Sequence, residues 1–355
     1  MKYALIGCGR VAPNHITAAK ENHLHIQAIC DLDREKAQIF MKDNDLSEDV
    51  KIYTDYQELF EREELDLVAI ATFSGEHAKI AKEAIRHGIN VIIEKPIALS
   101  LEDADQMIQL AKENHVKVCT NHQNRFNPTI RKIRQAIDAG KLGNLMYGSA
   151  TIRWFRGKDY YEQANWRGTW EQDGGALMNQ CIHNIDLLRW MMGDEVEEVF
   201  AYTDNMRHPY IEAEDFGVAI VKFKNGTYGK IEGTTDVYKD GLEETLAIFG
   251  DKGTVRAGGM SVNHMDIWNV DGEEDLLEQM QRECNENPEN VYGFGHVPLY
   301  KNMIEAIQND QDPLVDGKAG RRALEMVLAM YKSASTGKAV KLPMKQGSTM
   351  DYKIQ

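Results

Sequence analysis

The chain has 355 residues, a formal net charge of −15, and apolar and charged fractions of 43% and 27%. This length exceeds one ordinary hydrophobic core, so we expect a globular protein of two domains. The negative charge argues against a general nucleic-acid binder or a binder of anionic membranes, and no apolar run approaches the roughly 20 residues that span a bilayer.

The N-terminal segment and the cysteines favour a cytoplasmic protein. The start, "MKYALIGCGR", has too short an apolar run for a signal peptide and is interrupted by glycines. The cysteines are odd in number and scattered, without Cys-x-x-Cys spacing: Cys8, Cys30, Cys119, Cys181 and Cys284. We interpret them as reduced thiols rather than as a disulfide framework or a zinc site, and we expect no metal site.

The first 120 or so residues alternate short apolar runs with helical patterns. The apolar runs are typical of strands buried on both faces of a parallel sheet: "YALIG", "IQAIC", "LDLVAIAT", "NVIIEKP" and "VKVCTN". Between them lie "PNHITAAKEN", "DREKAQIFMKD", "HAKIAKEAIRHG" and "SLEDADQMIQLAKENH", which have helical spacing and capping residues such as Ser100. This alternation predicts a Rossmann-type, doubly wound α/β domain over residues 1–122.

A glycine-rich turn follows the first predicted strand. In "ALIGCGRVA", Gly7, Gly9 and Ala12 have the G-x-G-x-x-G/A spacing, in which glycines permit a tight turn and a close approach of pyrophosphate to the backbone. Asp31 ends the second strand, where a carboxylate can accept hydrogen bonds from a ribose 2′-hydroxyl. The pattern predicts a dinucleotide site that favours NAD over NADP, although Arg34 lies nearby; a simple glycine turn is the alternative.

The segment "VIIEKPIALS" places Lys95 at the end of a buried strand. Ligands of doubly wound folds bind at this carboxyl edge of the sheet. Pro96 disfavours helical geometry at Lys95, so the chain turns there and the ammonium can point into the crevice. The structural alternative is a lysine that extends from a strand end to solvent.

After about residue 145 the predicted strands follow one another directly. They are "GNLMYGSATIRWF", "EEVFAYTDNM", "FGVAIVKFKNGTYGKIEGTTDVY" and "ETLAIFGDKGTVRAGG", with hairpin signals at Asn225-Gly226 and at residues 251–253. Helical patterns close the chain at residues 298–309 and 317–336. We expect residues 123–355 to form an α+β domain with a large, mostly antiparallel sheet, and the final helix is a candidate to pack back on the first domain.

One helix is predicted within "WEQDGGALMNQCIHNIDLLRWMMGD", capped by Asp173, with apolar residues at Leu177, Ile182, Ile185 and Leu188. Asn179 and His183 would share a face of it, with Asp186 one turn further along. A histidine has an ordinary pKa of about 6.5, which suits proton transfer at neutral pH. A packed, hydrogen-bonded histidine is the structural alternative.

The glycine turn, "EKP" after a later strand, and a helix with N-x-x-x-H-x-x-D together resemble the glucose–fructose oxidoreductase, inositol dehydrogenase and rhizopine catabolism (Gfo/Idh/MocA) family. The resemblance extends through the closing "GKAGRRALEMVLAMYKSASTGKAVKLP". In that family a lysine and a histidine flank the sugar or cyclitol carbon that exchanges a hydride with nicotinamide, which implies Lys95 and His183 as the catalytic pair. Most members carry aspartate where this chain has Asn179, so the division of acid and base roles stays open.

A narrower likeness is to the branch that oxidises UDP-N-acetylglucosamine, or its uronic acid, at the sugar 3-hydroxyl, where Asn179 is usual. It is carried by "GCGRVAPNH", "FSGEHAKIA", "NHQNRFNPTI", "NWRGTW" and "GGALMNQCIHNIDLL". The implied residues of the NAD site are Gly7, Gly9, Arg10, Val11, Asp31, Thr72, Ser74, His77, Glu94, Lys95 and Gln123. The implied substrate residues are Lys95, Arg125, Trp166, Arg167, Asn179 and His183.

Residues 121–170 are basic within an acidic chain. They contain three acidic residues against nine basic ones: Arg125, Arg131, Lys132, Arg134, Lys141, Arg153, Arg156, Lys158 and Arg167. Arginines bind diphosphate or carboxylate bidentately, and the aromatic residues of "WFRGKDYYEQANWRGTW" could stack on a base or sugar ring, so a nucleotide sugar would explain the bias. Pairing with an acidic neighbouring domain or subunit would explain it equally well.

Three functions therefore stay open. The first is an NAD-dependent dehydrogenase of a nucleotide sugar, and the second has the same chemistry on a free sugar, inositol or a glycoside. The third is a regulator that binds NAD without turnover, which the retention of both Lys95 and His183 disfavours. The resemblance also implies that the antiparallel sheets of two subunits pack face to face in a dimer or tetramer.

Overall fold

A computed structural model describes residues 1–193, 195–273, 275–285 and 293–353. The chain forms two compact units. Unit 1 comprises Met1–Ala98, Glu102–His122 and Phe294–Arg321, and unit 2 comprises Leu99–Leu101, Gln123–Gly293 and the chain from Arg322 onward. The predicted second domain, residues 123–355, therefore differs from unit 2, because residues 294–321 fold with the N-terminal part of the chain.

Strands and helices alternate through residues 1–122. They are β1 (Lys2–Ile6), α1 (Ala12–Glu21), β2 (His25–Cys30), α2 (Arg34–Asp43), β3 (Lys51–Tyr53), α3 (Tyr56–Arg62), β4 (Leu67–Ile70), α4 (Ser74–Arg86), β5 (Asn90–Ile93), α5 (Leu101–Glu113) and β6 (Val118–Thr120). The strands form a parallel sheet in the order β3-β2-β1-β4-β5-β6. The predicted doubly wound sheet is confirmed, with β3 and α3 as additional elements.

The rest of the chain carries a larger sheet. Its elements are a 3-10 helix (Gln123–Phe126), α6 (Pro128–Asp138), β7 (Leu145–Arg153), α7 (Lys158–Tyr161), α8 (Ala176–Asn179), α9 (Ile182–Met192), β8 (Val196–Asp204), β9 (Phe216–Phe223), β10 (Tyr228–Thr234), β11 (Glu243–Gly250), β12 (Gly253–Gly258), β13 (His264–Val270), α10 (Leu277–Cys284), α11 (His296–Gln308), α12 (Gly317–Thr336), β14 (Val340–Lys341) and a 3-10 turn (Thr349–Tyr352). The sheet order is β13-β12-β11-β7-β10-β9-β8-β14.

The predicted antiparallel character of this sheet is confirmed. Among the strand pairs that the described residues form in this sheet, β7 with β10 is parallel and the others are antiparallel. Both predicted hairpins are present, between β9 and β10 at Asn225-Gly226 and between β11 and β12 at residues 251–253. Gly226 has a φ of +88°, which explains the glycine in that turn.

The single helix predicted around His183 is wrong, because α8 ends at Asn179 and α9 begins at Ile182. The N–H of Cys181 donates to the carbonyl of Ala176, five residues earlier, which closes α8 with a wide turn. This turn packs closely on the sheet: a Cβ atom on Gly233 of β10 would lie 2.6 Å from the sulfur of Cys181. Tight packing against a glycine of the sheet therefore accompanies the break in the helix.

Each unit has its own hydrophobic core. In unit 1, β4 is fully buried, and in unit 2, α8 and α9 cover one face of the eight-stranded sheet. The five cysteines are buried thiols. Across the described ranges, no helix combines the length and apolar character that a membrane crossing requires.

Candidate active site

The turn after β1 has the geometry of a pyrophosphate-binding loop. Gly7 has a φ of +95°, and a Cβ atom there would lie 2.5 Å from the carbonyl oxygen of Ala71, so only glycine fits. A Cβ atom on Gly9 would lie 3.9 Å from the same oxygen. Arg10 is exposed, and Val11 precedes α1 without a side-chain hydrogen bond to the first N–H groups of the helix. Those N–H groups can face a phosphate, which fits NAD.

Asp31 lies directly after β2 and is held by three hydrogen bonds. Its Oδ2 atom accepts from the N–H of Cys8 at 2.8 Å and from Nζ of Lys36 at 2.9 Å, and its Oδ1 atom accepts from the N–H of Asp33 at 3.0 Å. Burial raises the pKa of this carboxyl, but the hydrogen bonds outweigh it and hold the pKa below its ordinary value. An ionised carboxylate at this strand end suits the ribose hydroxyls of NAD.

Lys95 follows β5 in a loop that His77 ties to the loop after β4. The Lys95–Pro96 peptide is cis, and Lys95 is half-buried. His77 is buried, with Nδ1 2.8 Å from the carbonyl oxygen of Pro96 and Nε2 3.1 Å from that of Thr72. Burial lowers the pKa of His77, which favours the neutral imidazole. Ser74, the first residue of α4, is also buried, and a contact of His77 with the cofactor stays a prediction.

Glu94 is a buried carboxylate beside Lys95. Its Oε1 atom lies 3.0 Å from Nε2 of His15, and its Oε2 atom accepts from the N–H of Lys95 at 3.3 Å. The Nδ1 atom of His15 lies 2.7 Å from the hydroxyl of Tyr300. Burial raises the pKa of Glu94, but the interactions with His15 and His296 hold it well below its ordinary value. A fixed negative charge therefore supports the backbone of the candidate catalytic lysine.

The expected cap at Asp173 is wrong. Glu214 caps α8 instead, since its Oε1 atom accepts from the N–H of Leu177 at 2.8 Å. Asp173 accepts from the N–H of Gly168 at 2.8 Å through Oδ2, and its Oδ1 atom accepts from the amide of Asn179. Asp173 therefore orients the Asn179 amide, the position at which the resemblance implied a substrate contact.

His183 lies in the first turn of α9 and is half-buried, on a different helix from Asn179. One turn later, Asp186 accepts hydrogen bonds from Nε and Nη2 of Arg125 at 2.6 and 2.7 Å, and the guanidinium of Arg125 lies 4.8 Å from the ring centroid of Trp190. This buried ion pair argues against a contact of Arg125 with the substrate. The substrate role that the resemblance implied for Arg125 therefore stays a prediction. Gln123 is buried in the 3-10 helix.

Arginine and aromatic side chains interleave in the segment around α7. The guanidinium of Arg167 lies 4.2 Å from the ring centroid of Tyr160 and 4.5 Å from that of Trp166. The guanidinium of Arg156 lies 4.5 Å from the ring centroid of Trp154 and 5.2 Å from that of Tyr160. Tyr160 thus brings both guanidinium groups to one place, and stacked guanidinium groups keep edges that can bind an anion.

Most of the other basic residues in 121–170 pair with carboxylates inside unit 2. These are Arg125, Lys132, Arg134, Lys141, Arg153 and Lys158. The alternative of ion pairing therefore explains most of the basic bias, although the acidic partners lie in the same unit. Arg156 and Arg167 stack on aromatic rings, and the charge of Arg156 also acts on the buried carboxyl of Glu244.

Sequence reasoning missed three features of these sites: Lys36, the contact between Asp173 and Asn179, and His15. Lys36 lies only five positions after Asp31, so local spacing could have revealed it. The contact between Asp173 and Asn179 is also local, but the continuous-helix prediction concealed it. His15 was not singled out because its partners are distant in sequence and follow no short motif.

Two family models match the chain. Residues 1–122 match the Gfo/Idh/MocA "Oxidoreductase family, NAD-binding Rossmann fold", and residues 134–342 match its "C-terminal alpha/beta domain". Among curated relatives, the myo-inositol 2-dehydrogenase of Thermotoga maritima is 27% identical over 352 residues, which cover 96% of this chain and 98% of that protein.

Two solved structures are similar over almost the whole chain. The WlbA dehydrogenase from Bordetella pertussis, in complex with NADH and UDP-GlcNAcA, is 35% identical, with a TM-score of 0.89 and coverage of 97% of this chain and 98% of that chain. The WlbA dehydrogenase from Chromobacterium violaceum, in complex with the same two compounds, is 33% identical, with a TM-score of 0.87 and coverage of 97% and 96%.

Proposed function

Because the chain belongs to the Gfo/Idh/MocA oxidoreductase family and is an NAD-dependent sugar oxidoreductase, we propose that it oxidises the 3-hydroxyl of a UDP-N-acetylglucosamine-type nucleotide sugar or of its uronic acid. The observation that carries the nucleotide-sugar substrate is the pair of arginines stacked around Tyr160. The complexes of the two WlbA dehydrogenases with UDP-GlcNAcA support the same substrate class.

Lys95 and His183 are the catalytic pair in this proposal. NAD, when bound, accepts the hydride that leaves the carbinol carbon. The neutral imidazole of His183 takes the hydroxyl proton as general base, and the ammonium of Lys95 holds and polarises the oxygen as the ketone forms. Asn179, oriented by Asp173, can hydrogen-bond the substrate or the imidazole without adding charge.

Unit 1 supports this role of Lys95 from two sides. His77 fixes the carbonyl of Pro96, and Glu94 accepts the N–H of Lys95 itself. The peptide unit that precedes Lys95 and the one that follows Pro96 are thus held by buried groups, which limits the positions that the lysine side chain can reach. Such preorganisation of a reacting group is a large part of what an enzyme contributes to rate.

The substrate anion is bound by Arg156 and Arg167. In the described part of the chain, Arg167 enters no ion pair. Its guanidinium lies over the rings of Tyr160 and Trp166, and its Nη1 atom donates to the hydroxyl of Tyr160 at 2.5 Å. A guanidinium held in this way loses little conformational freedom when it binds a diphosphate or carboxylate. The aromatic rings also offer faces on which a base or sugar can stack.

A free sugar or inositol is the second candidate substrate. Similarity to the myo-inositol 2-dehydrogenase of Thermotoga maritima favours it. The two candidates differ in one chemical respect, since only the nucleotide sugar carries a diphosphate for the arginines to bind.

A substrate panel tests the proposal. Stoichiometric enzyme and NAD are mixed with UDP-N-acetylglucosaminuronic acid, UDP-N-acetylglucosamine, the same sugars without UDP, and myo-inositol, and NADH absorbance is followed. Work at enzyme concentrations comparable with NAD detects hydride transfer even if NADH stays bound. We expect NADH with the UDP-sugars; NADH formation only with the simple sugars or inositol would contradict the proposal.

We further propose that the open face of the eight-stranded sheet packs on a second copy of this chain. Large apolar residues on this face are exposed, including Tyr202 of β8, Ile220 of β9 and Tyr228 of β10. On the neighbouring strands the rings of Tyr147 and Phe249 stack at 5.1 Å. Large apolar residues exposed together on one face of a sheet favour a subunit interface.

A further inference from the structure

Three ionisable side chains of unit 2 meet beside the ladder of β9 and β10. Asp215 immediately precedes β9, and Asp236 lies two residues after the end of β10. The two strands are paired up to this end, where the N–H of Thr235 donates to the carbonyl of Asp215. His208 comes from the loop between β8 and β9, and the ligating atoms of the three side chains all lie within 4.8 Å of one another.

Backbone N–H groups fix the position of Asp215. The N–H of Met206 donates to Oδ1 at 2.8 Å, and the N–H groups of Arg207 and His208 both donate to Oδ2 at 2.9 Å. Asp215 is fully buried. This carboxylate is therefore a rigid acceptor, and the hydrogen bonds favour its ionised form.

The side-chain atoms of His208 and Asp236 have fewer hydrogen-bonding partners than those of Asp215. The Nδ1 atom of His208, which is 3% exposed, lies 3.1 Å from Oδ2 of Asp215 and 3.2 Å from Oδ1 of Asp236. Neither contact has the geometry of a hydrogen bond, and among the described residues no group donates to either carboxylate oxygen of Asp236. Buried polar atoms without such partners are costly, and each calls for a specific explanation.

Two aromatic rings pack against His208. The rings of Tyr161 and Tyr210 lie with their centroids 5.3 and 5.4 Å from that of His208. Burial, and then the charge of Asp215, raises the pKa of Asp236 to about 6. The positive charge of Arg207, whose Nη1 atom donates to the backbone carbonyl of Asp236 at 3.1 Å, lowers this pKa but does not offset the burial and the charge of Asp215.

A second cluster, with two histidines and one carboxylate, shows the contrast. His15, Glu94 and His296 of unit 1 also bring three potential ligands together. There, one proton arrangement satisfies the contacts: the hydroxyl of Tyr300 donates to Nδ1 of His15, Nε2 of His15 donates to Glu94, and the amide of Asn121 donates to both Glu94 and Nε2 of His296. Both ring nitrogens of His15 and the Oε1 atom of Glu94 thus have hydrogen-bonding partners from the protein itself.

We propose that His208, Asp215 and Asp236 bind a first-row divalent cation such as Zn²⁺, Co²⁺ or Mn²⁺. Bonds of about 2.0–2.2 Å from one ion to a nitrogen and an oxygen place those atoms roughly 3.0–3.5 Å apart in octahedral or tetrahedral geometry. The distances of 3.1 and 3.2 Å from Nδ1 of His208 to the two oxygens fit this spacing. One imidazole and two carboxylates form a donor set that suits these ions.

The proposed site differs from the expectation of no metal, and its role is structural. The ligands come from the loop after β8 and from the two strand ends, so the cation ties that loop to the sheet. The sequence conceals the site because the ligands are separated by 7 and 21 residues and do not form a short motif.

Titration with Co²⁺ tests the proposal, because its visible absorption reports protein nitrogen and oxygen ligands directly. Full-length protein is treated with a chelator, titrated with Co²⁺, and then challenged with Zn²⁺, with bound metal measured per chain. We expect one Co²⁺ per chain, displaced by Zn²⁺, and an apparent Kd at least about 10-fold weaker in both Asp236→Asn and His208→Gln. Asp236→Asn is nearly isosteric, so it decides the outcome if the histidine variant fails to fold.

His296→Asn is the matched control, since it removes a histidine from the cluster of unit 1. Binding that persists in this variant and is lost in Asp236→Asn supports the site. The proposal is overturned if the wild-type protein binds no Co²⁺ or Zn²⁺, if Asp236→Asn leaves the affinity unchanged, or if the His296→Asn variant alone abolishes binding.

Discussion

Lys36 forms an ion pair with Asp31, the carboxylate that ends β2, with Nζ 2.9 Å from Oδ2. Asp31 is the residue expected to repel the 2′-phosphate of NADP. Lys36 places a positive charge next to it, and the lysine side chain is about half exposed, so it can turn toward a ligand. The pair therefore combines a group that rejects the 2′-phosphate with one that tolerates it.

Substitution of Asp31 and substitution of Lys36 should shift cofactor selectivity in opposite directions. Asp31→Ala removes the repulsion and should narrow the ratio of kcat/KM between NAD and NADP, whereas Lys36→Ala leaves the carboxylate unopposed and should widen it. The measurement is NADH and NADPH formation over a range of cofactor concentrations. A wild-type enzyme that prefers NADP, or a Lys36→Ala variant with a narrower ratio, would refute this role of the pair.

Loss of either stacked arginine should weaken the binding of the nucleotide sugar and leave the binding of NAD unchanged. A hydrogen bond to a charged group contributes about 1.5–3 kcal/mol, so Arg156→Ala and Arg167→Ala should each raise KM for the UDP-sugar by roughly 10- to 100-fold. Lys158→Ala is the control, because Lys158 lies in the same segment but is exposed and pairs with Glu162. Equal effects of all three variants would indicate a general charge effect rather than a specific site.

Glu214 should make stability depend on pH. Burial raises its pKa from 4.5 to about 8, so the folded protein keeps a proton that the unfolded chain loses. Its stabilising contribution is complete below pH 4.5 and is lost as the pH rises toward 8, on the order of a few kcal/mol. Denaturant unfolding of wild type and Glu214→Gln from pH 5 to 8.5 should show a steeper decline in wild type. Parallel curves would rule out this titration.

The exposed sheet face should mediate assembly. Light scattering at micromolar concentration should give a dimer or tetramer, and Ile220→Glu should reduce the mass because it places a charge in the apolar face. Glu198→Gln on the adjacent strand β8 is a control that removes a charge. A wild-type monomer at this concentration would contradict the proposed interface.

The parallel sheet and the glycine turn could be predicted because their signals are local. A strand buried on both faces is a continuous apolar run, and the spacing of Gly7, Gly9 and Asp31 follows from the geometry of one βαβ unit. The short strand β3, "KIY", has too little apolar character to be recognised from the sequence. The helix α3 that follows it was not predicted either.

The partners within the site could not be predicted, because they are set by tertiary contacts. Arg125 and Asp186 are 61 residues apart, and nothing local indicates that they neutralise each other. The break between α8 and α9 depends on how closely Cys181 approaches Gly233 of the sheet. Helical periodicity continues through the break, so the sequence pattern alone favoured one helix.

The most direct test of the central claim is the single-turnover rate of NADH formation from UDP-N-acetylglucosaminuronic acid in wild type, Lys95→Ala and His183→Asn. Loss of a general base usually lowers a rate by about 10²–10⁴, and both variants should show a loss of this size with NAD affinity nearly unchanged. The wild-type rate should rise with pH through a single ionisation, because only neutral imidazole accepts the proton. A variant that transfers hydride at the wild-type rate would contradict the catalytic role of its residue.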